Sequence, residues 1–321
     1  MNGPIAITGA TGFVGQHTVA YARLIDLPLR VIVRAEHSVP RGWVNDPGVT
    51  THEADLAEST NISSSLKGAS TLIHAAATLA GDHARDTIAA SENLIAAIIE
   101  AGVPHVVLVS SLSVYDVTAL RDNDILTEAC PLATTGRDAY AAAKLSQEHM
   151  FRAAAQEHGF TLSILRPGAI YGPDRLFNAH IGPGIGPALV MIDGGGKVPL
   201  CHVDLAAECL IRAAQSPNGI EAINLFDDAL PSRDRFVTSF RRTGWPRLVL
   251  HLPLGMARLL ARITPNGASM PGLLRRDTLE ARHKPLSYDN TLMHKRLNPV
   301  TMLPFETAMS GSIGIEQDRN T

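Results

Sequence analysis

The sequence predicts an α/β protein with a doubly wound parallel sheet and a smaller, mostly helical C-terminal part. Three observations predict it. Through the first two-thirds of the chain, short continuous apolar runs alternate with helix-length amphipathic stretches. Strands of that kind are buried on both faces, the condition of a parallel sheet covered by helices. A glycine-spaced turn, Thr8-Gly9-Ala10-Thr11-Gly12-Phe13-Val14-Gly15, joins the first apolar run to the first amphipathic stretch. After Arg166 the alternation stops, and 167–196 is rich in Gly and Pro, which reads as loops and a change of role.

In chain order, strands are expected at 5–8 (Ile-Ala-Ile-Thr), 29–33 (Leu-Arg-Val-Ile-Val), 48–52, 71–74 (Thr-Leu-Ile-His), 105–110 and 162–165. Helices are expected at 14–24, 87–101 and 139–158, where apolar residues recur at helical spacing and alanine is frequent. A further helix over 204–214 and a strand over 222–226 follow the Gly/Pro-rich stretch. The organisation expected is a nucleotide-binding unit over 1–170, with 198–226 returning to it. A substrate-binding unit takes 171–197 and 227–310, and 311–321 forms a frayed, polar tail.

Composition narrows the classes. The chain has 321 residues, enough for a large core, with 45% hydrophobic and 18% charged residues. A net charge of −3 gives no electrostatic reason to expect nucleic acid or an anionic membrane as partner. Cys130, Cys201 and Cys209 are few, odd in number and without metal-like spacing, which favours a reducing compartment. Pro4-Ile5-Ala6-Ile7 already reads as a strand, leaving no room for a leader, and no run of about 18 apolar residues exists. A cytoplasmic protein without stable membrane insertion is expected, and no metal.

Glycines 9, 12 and 15, after a strand and before a helix, permit a tight turn and close backbone approach. That arrangement points amide groups at a pyrophosphate on the helix N-terminus, the dinucleotide-binding Rossmann pattern. Phe13 and Val14 open the helix on the ligand side. The second strand ends in Arg34, a cation where a 2′-phosphate is read, with Glu36 two residues on. NADP(H) is therefore favoured and NAD(H) is the alternative. Asp55, followed by Leu56, either places a carboxylate on the adenine amino group or caps the next helix. Ala75, Ala76 and Ala77 end the fourth strand with small residues against which a dinucleotide can lie, whereas His74 reads as a packed histidine.

Asp138-Ala139-Tyr140-Ala141-Ala142-Ala143-Lys144 places a phenol and an ammonium one turn apart on one helix face. A nearby cation favours the phenolate, so the pair suits proton transfer. Upstream lies Ser110-Ser111-Leu112-Ser113-Val114-Tyr115, and downstream Arg166-Pro167-Gly168-Ala169-Ile170-Tyr171-Gly172-Pro173.

With the opening glycines, this ordered set resembles the extended short-chain dehydrogenase/reductase family. That family includes nucleotide-sugar epimerases, dehydratases, dihydroflavonol-type reductases and 3β-hydroxysteroid-dehydrogenase-like enzymes. The resemblance spans residue 3 to about 230 and continues in the segment 287–299. It implies that Tyr140 is the general acid/base and that Lys144 lowers its pKa and binds the nicotinamide ribose. Ser111 would polarise the substrate carbonyl, with Ser113 as the fallback and Ser110 facing the sheet or cofactor. Pro167 and Gly168 would pack against the nicotinamide, and Asp204 is read as a helix cap. The resemblance also implies a homodimer through helices at 87–101 and 139–158. One departure stands out: Thr87 occupies the place of an asparagine that organises a water relay to the lysine.

Three functions are open at this point. The first is an NAD(P)-dependent oxidoreductase acting on a carbonyl or secondary alcohol of a small molecule. The second is a nucleotide-sugar epimerase or dehydratase with bound NAD, for which Arg175, Arg233, Arg235 and Arg275 are the candidate diphosphate cations. The third is an NADP(H)-sensing protein without catalysis. The apolar stretch 245–263 reads as a core strand and helix of the substrate unit, or as an apolar substrate wall or membrane-surface helix.

Overall fold

The computed structural model describes residues 3–35, 39–58, 60–76, 83–135, 138–263 and 275–319. Glu36 and Ala77 lie outside the described residues. Seven parallel strands form one sheet, in the order Ile220–Leu225, Thr161–Pro167, His105–Val109, Thr71–His74, Ile5–Thr8, Leu29–Val33, Val49–Glu53. Successive side chains of a strand point to opposite faces, and both faces here are covered. Helices Phe13–Leu24 and Val203–Gln215 bring Val19, Ala22, Leu205 and Leu210 against Ile7, Val31, Ile73 and Val107. On the other face, helices Ala90–Ala101 and Ala139–His158 bring Leu94, Ile98 and Phe151 against Ala6, Leu72, Val106 and Ile164. This is the doubly wound Rossmann-like fold expected from the alternation.

Strand order reverses between Ile5–Thr8 and Thr71–His74: the chain first steps toward Val49–Glu53, then crosses back. No helix closes over the carboxyl ends at such a switch point, so a crevice opens there. The helix carrying Tyr140 and Lys144 is held at both ends. The Asp138 carboxylate accepts from the Ala141 amide at 2.8 Å, an N-cap worth about 1 kcal/mol, and Gly159 ends the helix at φ 77°.

Several expectations need correction. The stretch 167–196 is not all loop: Ala169–Tyr171 pairs with Leu200–His202, and Ala188–Asp193 lies between Gly184–Ile185 and Leu248–Pro253. The run Leu189-Val190-Met191-Ile192 is the signal that the surrounding glycines obscured. The helix expected over 87–101 starts as a π-helical turn, Ala84–Ala89, and becomes α-helical at Ala90. The expected tail is helical as far as Arg319, because Ala308, Met309 and Ile313 bury one side of the helix Phe305–Arg319. Asp204 does not cap its helix. His202 does, and the Asp204 carboxylate instead binds His17 of the first helix at 2.6 Å, which holds it below the usual carboxylate range.

Candidate functional site

Two cavities share Gly12 and Ala75 at the crevice. The first, about 580 Å³, is walled by Thr8, Gly9, Thr11, Arg34, Asp55, Leu56, Ala76 and Asp86 among others. The second, about 490 Å³, is walled by Phe13, Val14, Gly15, Ser111, Tyr140, Lys144, Pro167, Gly168 and Arg175. Ser111, Tyr140, Lys144 and the residues expected to bind the cofactor from Gly9 to Ala76, with Pro167 and Gly168, lie on one or other of these two walls.

The glycines are required sterically. Gly9 has φ +73°, and a Cβ there would lie 2.4 Å from the Ala76 amide nitrogen. A Cβ on Gly15 would lie 2.1 Å from the Gly9 carbonyl oxygen, so the helix packs against the turn only without a side chain. The helix Phe13–Leu24 has Gly12 at its N-cap and no side-chain cap bond, which leaves first-turn amides facing the crevice. Backbone donors with no side chains in the way fit a dinucleotide pyrophosphate. Gly15→Ala is expected to weaken nucleotide binding about tenfold or more, read by nicotinamide fluorescence titration with helix content retained.

Arg34 stands exposed at the mouth of the first cavity, with Asp55 at 3.6 Å and Asp86 at 3.9 Å. Asp55 also pairs with Arg85 at 3.7 Å and accepts from the Ala57 amide at 3.0 Å. It therefore caps the turn after the third strand and not a helix, since the next helix, Ile62–Leu66, has Asn61 as its N-cap.

In the second cavity, Ser111 lies just beyond the strand His105–Val109 and accepts from the Ser113 amide at 3.1 Å. Ser113 itself lines a separate cavity of about 240 Å³. Ser110 donates to Glu148, and Arg166 grips the same carboxylate with two nitrogens, Nε at 2.9 Å and Nη2 at 2.6 Å. Arg166 also donates to the Tyr115 hydroxyl at 2.9 Å, which donates to Asn224 at 2.7 Å. Both charges of the pair are buried.

Lys144 is buried, and its Nζ donates to the Val109 carbonyl at 2.8 Å and to Gln147 Oε1 at 2.9 Å. Burial pulls its pKa down to about 8, opposed by the Glu148 charge. His74 is packed as expected, between Thr8 Oγ1 at 2.7 Å and Gln147 Nε2 at 3.1 Å. Burial first, and the Lys144 charge second, push His74 down to about 3, so it is neutral. Thr87 is buried in the π-helical turn, and its carbonyl accepts from Ser91 Oγ.

The sequence reading gave no role to Gln147, Glu148, Ser91 and Arg166. Glu148 lies one turn beyond Lys144 on the same helix face, and Arg166 interrupts an apolar strand; both were signals of a buried pair. Of the four candidate diphosphate cations, only Arg175 lines this cavity, over the Phe13 ring at 5.1 Å. Arg233 is buried and donates to the carbonyls of His180, Gly195 and Arg282, and Arg235 pairs with Glu306. A larger cavity of about 670 Å³ lies elsewhere, between Arg121 and Arg276. Two of its cations are already spent, Arg258 on Asp122 and Glu280 and Lys284 on the carbonyls of Val117 and Leu120.

The fold and the crevice define a dinucleotide-binding α/β protein. Residues 5–225 match the model of the NAD dependent epimerase/dehydratase family, and the chain belongs to that family. It is 25% identical over 260 residues to the 3-beta-hydroxysteroid dehydrogenase of Mycolicibacterium neoaurum, covering 71% of this chain and 69% of that one. It is 30% identical over 225 residues to the ceramide reductase of Caulobacter vibrioides, covering 67% and 62%. The solved structure of MoeE5 in complex with UDP-glucose and NAD superposes with TM-score 0.73 at 19% identity, covering 99% and 100%, a likeness of fold. Members of the family are nicotinamide-dependent epimerases, dehydrogenases and reductases. Among the described residues no helix is long and apolar enough to cross a membrane.

Proposed function

We propose that this chain is an NADP(H)-dependent oxidoreductase that interconverts a carbonyl and a secondary alcohol on a largely apolar small molecule. The observation that carries the reading is the meeting of Ser111, Tyr140 and Lys144 on a cavity continuous with the glycine-turn cavity. Bound nicotinamide supplies or accepts the hydride at the substrate carbon. Ser111 donates a hydrogen bond to the carbonyl oxygen, and Tyr140 passes that oxygen its proton as negative charge develops. Lys144 favours the phenolate that remains and holds the ribose hydroxyls. Proton and hydride together turn the ketone into the alcohol, and the reverse path runs through the same groups. Arg34 would hold the 2′-phosphate, Asp55 and Leu56 would meet the adenine end, and Pro167 and Gly168 would meet the nicotinamide.

The walls formed by Phe13, Val14, Val109, Ala169 and Ile170 favour an apolar substrate. The steroid dehydrogenase and the ceramide reductase are relatives whose names describe the same reaction type. The epimerase or dehydratase reading is left with Arg175 alone of its four candidate cations at the reacting cavity, where a diphosphate carries two negative groups. A second copy of the chain, docked through the helices Ala90–Ala101 and Ala139–His158, is the partner this reading carries.

The test is cofactor consumption. Purified protein mixed with NADPH and a panel of hydrophobic ketones and aldehydes is expected to lose reduced-nicotinamide absorbance in proportion to alcohol formed. NAD+ that survives desalting, with sugar-nucleotide turnover and no net cofactor change, would sink the oxidoreductase reading. Arg34→Gln is expected to weaken NADPH binding about tenfold to a hundredfold while NADH binding changes little, since one contact to a charged phosphate is lost.

A further inference from the structure

We propose that Gln147 is a positioning residue of this site, holding the Lys144 ammonium beside Tyr140 and tying it, through His74, to Thr8 in the wall of the cofactor cavity. The inference rests on the Tyr140–Lys144 reading given above.

Five side chains form one buried hydrogen-bonded chain. Thr8, His74, Ser91, Lys144 and Gln147 are each no more than 3% exposed. Lys144 has only donors, so the atom of Gln147 that faces it, at 2.9 Å, must be the amide oxygen. The amide NH2 group then points the other way, to Ser91 Oγ at 2.9 Å and to His74 Nε2 at 3.1 Å. With a donor facing Nε2, His74 must carry its proton on Nδ1 and donate it to Thr8 Oγ1 at 2.7 Å. Hydrogen bonds therefore run in one sense, from Lys144 through Gln147 and His74 to Thr8. Protonating His74 would set two donors against each other, so its neutrality is built into the arrangement. A buried polar chain in which every member is satisfied confines each member to one position.

Gln147 is the link that no other residue replaces. Among the described residues the Lys144 amine donates to Gln147 and to Val109, and the Val109 acceptor is a backbone carbonyl that no side-chain substitution removes. Thr87 contributes only its backbone carbonyl, which fixes Ser91, so the side-chain amide serving the lysine comes from the lysine's own helix. The charged and titratable groups around Lys144 are Glu148, held by Arg166, then His74 and Tyr140, with Arg175 lining the same cavity and His83 against the Tyr140 ring.

The experiment needs no substrate. The difference in phenolate absorbance between wild type and Tyr140→Phe, each saturated with NADP+, isolates the ionisation of Tyr140 from the other tyrosines. Wild type is expected to ionise below the ordinary tyrosine value of about 10. Gln147→Met, which conserves volume and removes the acceptor, is expected to raise that midpoint by about one pH unit. Ser91→Ala, a one-atom deletion that preserves the fold, is expected to shift it the same way by less. If both variants titrate with the wild type, Gln147 merely fills space and this inference alone is overturned. A wild-type midpoint no lower than ordinary tyrosine overturns the Tyr140–Lys144 couple, and this inference with it.

Discussion

Tyr140→Phe is expected to lower turnover by about 10²- to 10⁴-fold, the usual contribution of a positioned general acid/base. The substitution removes one hydroxyl and keeps the ring, whose edge contact with His83 at 6.3 Å is preserved. The helix start is untouched, because the Asp138 cap acts through the Ala141 amide. Cofactor affinity is therefore expected to hold, since Lys144 and the glycine turn keep their places. Single-turnover kinetics against equilibrium nucleotide titration separates the two quantities. Equal turnover in the variant would remove Tyr140 from the reaction and move the acid/base role to another group.

Glu148→Ala should produce the largest loss of stability, about 3–5 kcal/mol, because it strands the buried Arg166 guanidinium. Arg166 keeps only its bond to Tyr115, and Ser110 loses its acceptor at the end of the strand that delivers Ser111. The double variant Glu148→Leu with Arg166→Met is expected to recover most of that loss, since removing both charges also removes both desolvation costs. Urea unfolding of the two single variants and the double variant measures this directly. A Glu148→Ala protein as stable as wild type would mean that water reaches Arg166.

The central sheet was legible because its signal is local. Strands buried on both faces are continuous apolar runs, and the expected boundaries at 5–8, 29–33 and 71–74 match Ile5–Thr8, Leu29–Val33 and Thr71–His74. The glycine turn was legible for a similar reason, since three positions within one turn must lack side chains. Contacts made at long range were not. Nothing near Asp204 in sequence shows that His17, from the first helix, takes its carboxylate. Gln147 reads as an ordinary polar helix residue until Ser91 and His74, from two other elements, close around it. The final helix was hidden because the contacts that hold it, those of buried Ala308, Met309 and Ile313 and the bond of Ser312 to His202, are made with elements far away in sequence.

The pairing of Ser287–Tyr288 with Ile125–Leu126, and the bonds from Lys284 to the carbonyls of Val117 and Leu120, have a consequence for biosynthesis. The loop that follows Ser111 is braced by residues made some 160 positions later, as the 167- and 164-residue separations of the Lys284 contacts record. All the residues that wall the nucleotide crevice precede the strand Ile220–Leu225, although Met293 and Leu297 complete the core beneath them. Its reacting wall takes final shape only when the stretch from Lys284 to Tyr288 has left the ribosome. Chains cut short between those two points would carry the crevice walls without the brace behind Ser111.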